Sequence, residues 1–148
     1  MALFTIRIEA PLPAPVAWQR ILDVHLHGEV VPFTTMRGDA LYAAELVPGS
    51  RFVARTGLGP LAFDDPMVVD EITPPDQDEA GVARIRKEGN VVRGWIELTV
   101  TPRSHGGSTV EWVQQISVRG VPGVAGPMTG AVAKAAYGQT LKRLLERS

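Results

Sequence analysis

Two histidines and a glutamate at alternate positions, His25-x-His27-x-Glu29, are the one cluster in this sequence with metal-ligand chemistry. In an extended segment alternate side chains point the same way, so two imidazoles and a carboxylate would form an open site of the kind catalytic zinc or iron uses. In a helical segment positions two apart diverge, and the cluster dissolves. A place at the surface or at a pocket rim is the simpler expectation, with His25 and His27, beside Gln114, as the candidate catalytic residues and with no metal and no cofactor bound. The acidic pairs Asp64-Asp65 and Asp70-Glu71 have the composition of acid/base machinery. Neighbours on a strand point to opposite faces, however, so neither pair can converge on one substrate atom, and both are expected to be solvated. Arg51 and Arg55 share a strand face and could, with Arg37, hold a carboxylate, although a solvent-facing stripe explains them as well. Trp112 and Gln114 share a face of the last strand with Val110 and Ile116. A buried amide there needs a hydrogen-bond partner, which backbone, water or a ligand can provide. If the register slips by one residue, Glu111 and Gln115 face inward instead.

Composition removes several classes of chemistry. There is no cysteine in the 148 residues, so disulfides, thiolate catalysis and cysteine-ligated zinc are excluded. A formal net charge of -1 supplies no electrostatic footprint for nucleic acid, and the cations Lys134, Lys142, Arg143 and Arg147 suit the C-terminal half of a helix. No nucleophile, histidine and acid triad and no phosphate-cradling glycine loop can be assembled. No apolar run is long enough to span a bilayer and the first residues lack a signal-peptide layout, so the expected location is cytoplasmic, as a monomer or homodimer without integral membrane association.

The elements that must position these groups read as one domain, 1–148. Phe4, Ile6 and Ile8 alternate with Thr5, Arg7 and Glu9 as a half-buried strand. Prolines 11, 13 and 15 end it, and Pro15 can open a short helix anchored by Trp18. Asp23 to Phe33 reads as a second short helix or a loop. Strand pieces follow at Thr34 to Arg37, Leu41 to Leu46, Arg51 to Thr56 and Phe63 to Ile72, where Pro66 demands an edge, an end or a bulge. Val82 to Lys87 and Val91 to Thr101 flank the turn Glu88-Gly89-Asn90, and Ser104 to Ser108 turns into Thr109 to Val118. The last stretch, from Gly120 to Ser148, carries apolar residues at three and four and is the best helix, with Pro127 placing its regular start near Gly126. Its first half is glycine and alanine and its second half carries Tyr137, Leu141, Leu144 and Leu145. Such a helix can seal a curled antiparallel sheet and leave a hollow beneath its slim end. The fold class is therefore α+β, a curved antiparallel sheet of about six to seven strands wrapped around a long C-terminal helix.

Specific stretches carry a family likeness: Ile6 to Trp18, Pro48-Gly49-Ser50-Arg51-Phe52, Glu71-Ile72-Thr73-Pro74-Pro75, Gly106-Gly107-Ser108-Thr109-Val110-Glu111-Trp112 and Leu141 to Glu146. The chain resembles the START/SRPBCC helix-grip superfamily, which includes polyketide cyclase/dehydrase and lipid-transport-like proteins. It departs from the common pattern between Asp23 and Phe33, where many relatives have a tryptophan-containing segment at the pocket mouth. The resemblance implies a cavity between sheet and terminal helix that takes a small hydrophobic or amphipathic ligand, lipid or polyketide-like. Phe52, Ala54, Trp112 and Gln114 on the sheet, with Met128 and Val132 on the helix, are the expected ligand-binding residues, and Met128 could act as an adaptable lid. Binding or transport is the first reading of function, with entry past the loops after Asp23 and around Gly57 to Pro60. A cyclase or dehydratase is the second and a co-chaperone or assembly factor the third.

Overall fold

The computed structural model describes residues 2–120 and 126–146, with the backbone alone described at 59 and 126–129. Seven strands form one antiparallel sheet: β1 (Ala2–Ala10), β2 (Thr34–Gly38), β3 (Arg51–Thr56), β4 (Phe63–Thr73), β5 (Gly81–Glu88), β6 (Val92–Pro102) and β7 (Ser108–Val118). Their spatial order is β1-β7-β6-β5-β4-β3-β2. Successive strands pair as hairpins, and only β1 is placed by a long-range choice, pairing with β7 from Ala2↔Ile116 to Ala10↔Ser108. Helices α1 (Ala14–Leu22) and α2 (His27–Val30) follow β1, and α3 (Gly126–Glu146) follows β7.

Alternation puts one face of every long strand against the helices. Ala83 and Ile85 on β5, Leu98 and Val100 on β6, and Val110 and Trp112 on β7 are buried there, packed with Trp18 and Ile21 of α1 and Leu141 and Leu145 of α3. The opposite face is a lattice of ion pairs: across strands Arg84 meets Glu71 and Glu97, Arg86 meets Asp70 and Arg51 meets Glu88, and along β5 Arg86 also meets Glu88. These pairs are exposed, where each contributes little on its own.

Three expectations are corrected. Residues 41–46 are not a strand but a connection with a 3₁₀ turn at Ala43–Glu45. Ala43 and Leu46 are its buried residues and Ala40 lies buried just before it, a spacing of three that suits a 3₁₀ turn, where side chains three apart eclipse. Asp70 and Glu71 do not face opposite ways, because a bulge between Val69 and Glu71 adds a residue, leaving both exposed toward Arg86 and Arg84. Asp65 is not solvated, as described below. Pro66 does behave as its missing N–H requires: it faces Val53 of β3, while β5 begins to pair with β4 only at Met67.

Candidate functional site

Between the inner face of the sheet, the end of α1, the segment that follows it and the middle of α3 lies a cavity of about 180 Å³. Phe52, Ala54, Met67, Ile85, Ile96 and Trp112 form its sheet wall, and Ile21, Leu22, Val24, His27 and Val31 form the wall opposite. The terminal helix contributes Ala136, Tyr137 and Thr140. The hollow therefore lies beneath the middle of α3 and not beneath its slim first half. In that half the Gly130 backbone rests on Ala2, where an added Cβ would meet the Ala2 methyl at 3.4 Å, and Val132 is 65% exposed. Val132 is thus placed away from the cavity, because the face of α3 turned to the sheet passes through Tyr137, Leu141 and Leu144. The Met128 side chain lies outside the described residues.

Trp112 and Gln114 are buried in the register that alternation predicts. Gln114 is not part of the cavity wall, since its Oε1 accepts from Trp112 Nε1 at 2.9 Å and the residue sits wholly inside the core. Its Nε2 finds no acceptor among the described residues.

The polar centre of the cavity is a pair the sequence reading missed. Lys87, the last inward residue of β5, donates from Nζ to Asp65 Oδ2 at 2.5 Å, and the two side chains are 1% and 11% exposed. The ammonium also lies 3.7 Å from Met67 Sδ and 5.8 Å from the centre of the Tyr137 ring. Burial favours the neutral amine, but the Tyr137 hydroxyl and the Asp65 carboxylate outweigh it, holding the lysine pKa above its ordinary value. Tyr137 is in turn held by ring contacts with Trp112 and Phe4, at centroid distances of 5.8 and 6.0 Å. Asp64, one residue before Asp65, points outward to Arg37 and Arg55 at 3.2 and 3.0 Å. The three arginines therefore sit on the charged outer face and have carboxylate partners there.

The histidine segment is helical, a 3₁₀ turn at Val24–Leu26 running into α2. His25 and His27 consequently diverge, and no three acidic or histidine residues are grouped to hold a metal among the described residues. His25 Nδ1 meets Leu41 O at 3.3 Å and its ring lies on Tyr42, outside the cavity. His27 lines the cavity, with Nε2 2.8 Å from Ile21 O. A carbonyl can only accept, so Nε2 carries the proton and Nδ1 is left with a lone pair. Desolvation lowers the His27 pKa, the Ile21 carbonyl opposes this, and the charges of Lys87 and His25 lower it further. The ring is neutral near pH 7 as a result.

Two loops next in sequence to the cavity-lining residues Val31, Thr34 and Thr56 carry exposed apolar side chains. Phe33, at φ 57° and 65% exposed, accepts at its carbonyl from the Gly57 N–H at 3.0 Å, and Leu58 and Leu61 follow on the same loop. Among the described residues no helix is long and apolar enough to cross a membrane.

No family model matches this sequence, and neither does any curated protein. Solved structures do match across nearly the whole chain. A START superfamily protein from Mycobacterium smegmatis superposes with a TM-score of 0.69 at 13% identity, over 99% of this chain and 95% of that one. The Zhui aromatase/cyclase from Streptomyces sp. R1128 gives 0.68 at 13% identity, over 97% and 90% of the two chains. Ara h 8.0201 gives 0.62 at 10% identity, over 98% of each. At these identities the likeness concerns the fold alone, and the fold shared with these proteins is the helix-grip fold, a curved antiparallel sheet around a long C-terminal helix.

Proposed function

We propose that this protein binds a small hydrophobic or amphipathic molecule in the cavity between the sheet and α3. The observation that carries the reading is the cavity itself, about 180 Å³ walled mostly by apolar side chains around the buried pair of Lys87 and Asp65. Pockets for small ligands combine apolar walls with a few placed polar groups in this way, and drug-sized ones run to about 300–1,000 Å³. This smaller volume favours a compact ring system over a long acyl chain. Phe52, Ala54 and Trp112 contact the ligand in this reading, with His27, Lys87 and Tyr137 as its polar neighbours. Native mass spectrometry of the purified protein, followed by thermal shift with a panel of apolar ring compounds, tests it. A co-purifying mass or a rise in Tm is expected. A protein that carries nothing and responds to no apolar compound overturns it.

One observation favours a second reading, proton-transfer chemistry of the cyclase or dehydratase type. His27 meets the cavity as a neutral imidazole whose Nδ1 is able to accept a proton. In this reading turnover of a polyketide-like or aromatic intermediate is lost in His27→Ala while ligand binding survives. Unchanged turnover in that variant removes His27 from any catalytic role.

A further inference from the structure

The cavity has an unbalanced hydrogen-bonding inventory. Its lysine is spent on Asp65 Oδ2, Met67 Sδ and Tyr137. Thr34 Oγ1 donates to Pro32 O at 3.2 Å, which leaves the 3.1 Å contact between Thr34 and Thr56 to be donated by Thr56. Thr140 Oγ1 donates to Ala136 O at 3.0 Å, and the Trp112 N–H goes to Gln114. Among the described residues of the wall, the Tyr137 hydroxyl, which accepts from Lys87, is the donor that keeps a hydrogen to give. Acceptors are left over. Asp65 lines the cavity, its side chain is nearly nine-tenths buried, and its Oδ1 has no hydrogen-bond partner among the described residues. The neutral His27 ring offers a further acceptor in Nδ1.

A buried carboxylate oxygen with nothing donating to it costs free energy that a ligand donor can relieve. We infer that the ligand is a neutral apolar ring compound bearing a hydroxyl, which it donates to Asp65 Oδ1, and that the site rejects carboxylates. The inference rests on the cavity being the binding site and adds to it the chemistry of the ligand's polar group. A hydroxyl is the suited group because it donates to Asp65 and can accept from Tyr137 at the same time. A carboxylate would set a second negative charge beside Asp65 while the one lysine is already paired. An ether or a bare hydrocarbon would leave Oδ1 unsatisfied, and a site built around a substrate hydroxyl discriminates strongly against an analogue lacking it.

The test is calorimetric titration of the wild-type protein with four two-ring probes substituted at one ring position: naphthalene, naphthol, methoxynaphthalene and naphthoate. Naphthol is expected to bind at least about tenfold tighter than each of the other three. In the paired variant Asp65→Leu with Lys87→Met, which removes both charges together, naphthalene binding is expected to persist and the preference for naphthol to vanish. Equal affinity for naphthol and methoxynaphthalene, or tighter binding of naphthoate, overturns the hydroxyl inference and leaves the binding cavity standing. Failure of all four probes overturns both. If the paired variant does not fold, the wild-type series decides alone.

Discussion

A lysine and an aspartate sunk among methionine, isoleucine and tryptophan are held by one another, and each is costly to leave behind. Lys87→Met strands the Asp65 carboxylate in the core, and we expect a loss of about 3–5 kcal/mol in urea unfolding. Removing both charges, in Asp65→Leu with Lys87→Met, is expected to cost less than the single change, because apolar replacements of a buried pair are often neutral or stabilising. A double variant less stable than the wild type would mean that the pair contributes net stability. His27 sets a separate, pH-linked term. Its folded pKa lies below the ordinary 6.5, so on acidification the unfolded chain takes up this proton first and stability falls as pH drops below about 6.5. His27→Gln keeps a side-chain N–H for Ile21 O and removes the titration. Unfolding midpoints compared between about pH 7.5 and pH 5.5 should fall less in the variant than in the wild type. Glu9, lowered first by its bond from Thr109, and Asp64, lowered first by Arg55, titrate below their ordinary values of 4.5 and 3.8, so their contributions are lost only in more acid solution and leave the His27 window clear. The buried pair was readable in principle. Ala83 and Ile85 point inward, and the same parity carries Lys87 inward, as Met67 and Val69 do for Asp65. Treating a charge as solvated on its type alone hid a signal that period-two counting contains.

At the scale of elements, alternation was enough for β1, β5, β6 and β7, whose inward residues are apolar or small apart from Lys87 on β5 and Gln114 on β7. It failed where geometry departs from a plain strand. The 3₁₀ turn at Ala43–Glu45 follows a spacing of three, and the bulge at Asp70 changes parity without any residue type that announces it. Gly94 in β6 keeps the parity but not an ordinary backbone: its φ is 143°, and an added Cβ would lie 1.8 Å from the Gln115 carbonyl oxygen of β7. No rotamer relieves that clash, since it is with backbone. Gly94→Ala is expected to cost more than about 2 kcal/mol in chemical denaturation by forcing the β6 and β7 ladder apart. A smaller loss would show that the two strands yield locally. The terminal helix divides in the same manner. Leu141 is 1% exposed against Val132 at 65%, so Leu141→Ala should cost about 2–5 kcal/mol while Val132→Ala stays within about 0.5 kcal/mol. The sequence placed the two halves of α3 correctly by bulk, yet it put the hollow under the wrong one. Small side chains let the helix settle onto β1 at Gly130, whereas Tyr137, too large to fold flat, stands between Phe4 and Trp112 and holds space open beside it.

For the molecule as a whole, the sheet gains its edge strand by pairing β1 with β7, and α3 packs across β1, so the helix that roofs the cavity is tied to the strand that completes the sheet. Occupancy of the cavity should then be felt in global stability. A ligand at about a hundred times its Kd adds about 2.7 kcal/mol. In a chain of this size each kcal/mol corresponds to about 2–4 °C, so a rise in Tm of about 5–10 °C is expected with a bound ring compound. Filling the space from within should imitate the ligand and exclude it. Ala54 lines the cavity on β3, opposite Asp65 of β4 and Met36 of β2. Ala54→Leu adds apolar volume where the wall is slimmest, so we expect the unfolding midpoint to hold or rise while affinity for any ring compound falls at least about tenfold. A variant that loses stability shows that the neighbouring strands have no room for the larger side chain and that the hollow is narrower than its walls imply. One that keeps full affinity shows that the compounds bind elsewhere, with the exposed side chains of Phe33, Leu58 and Leu61 as the next surface to substitute.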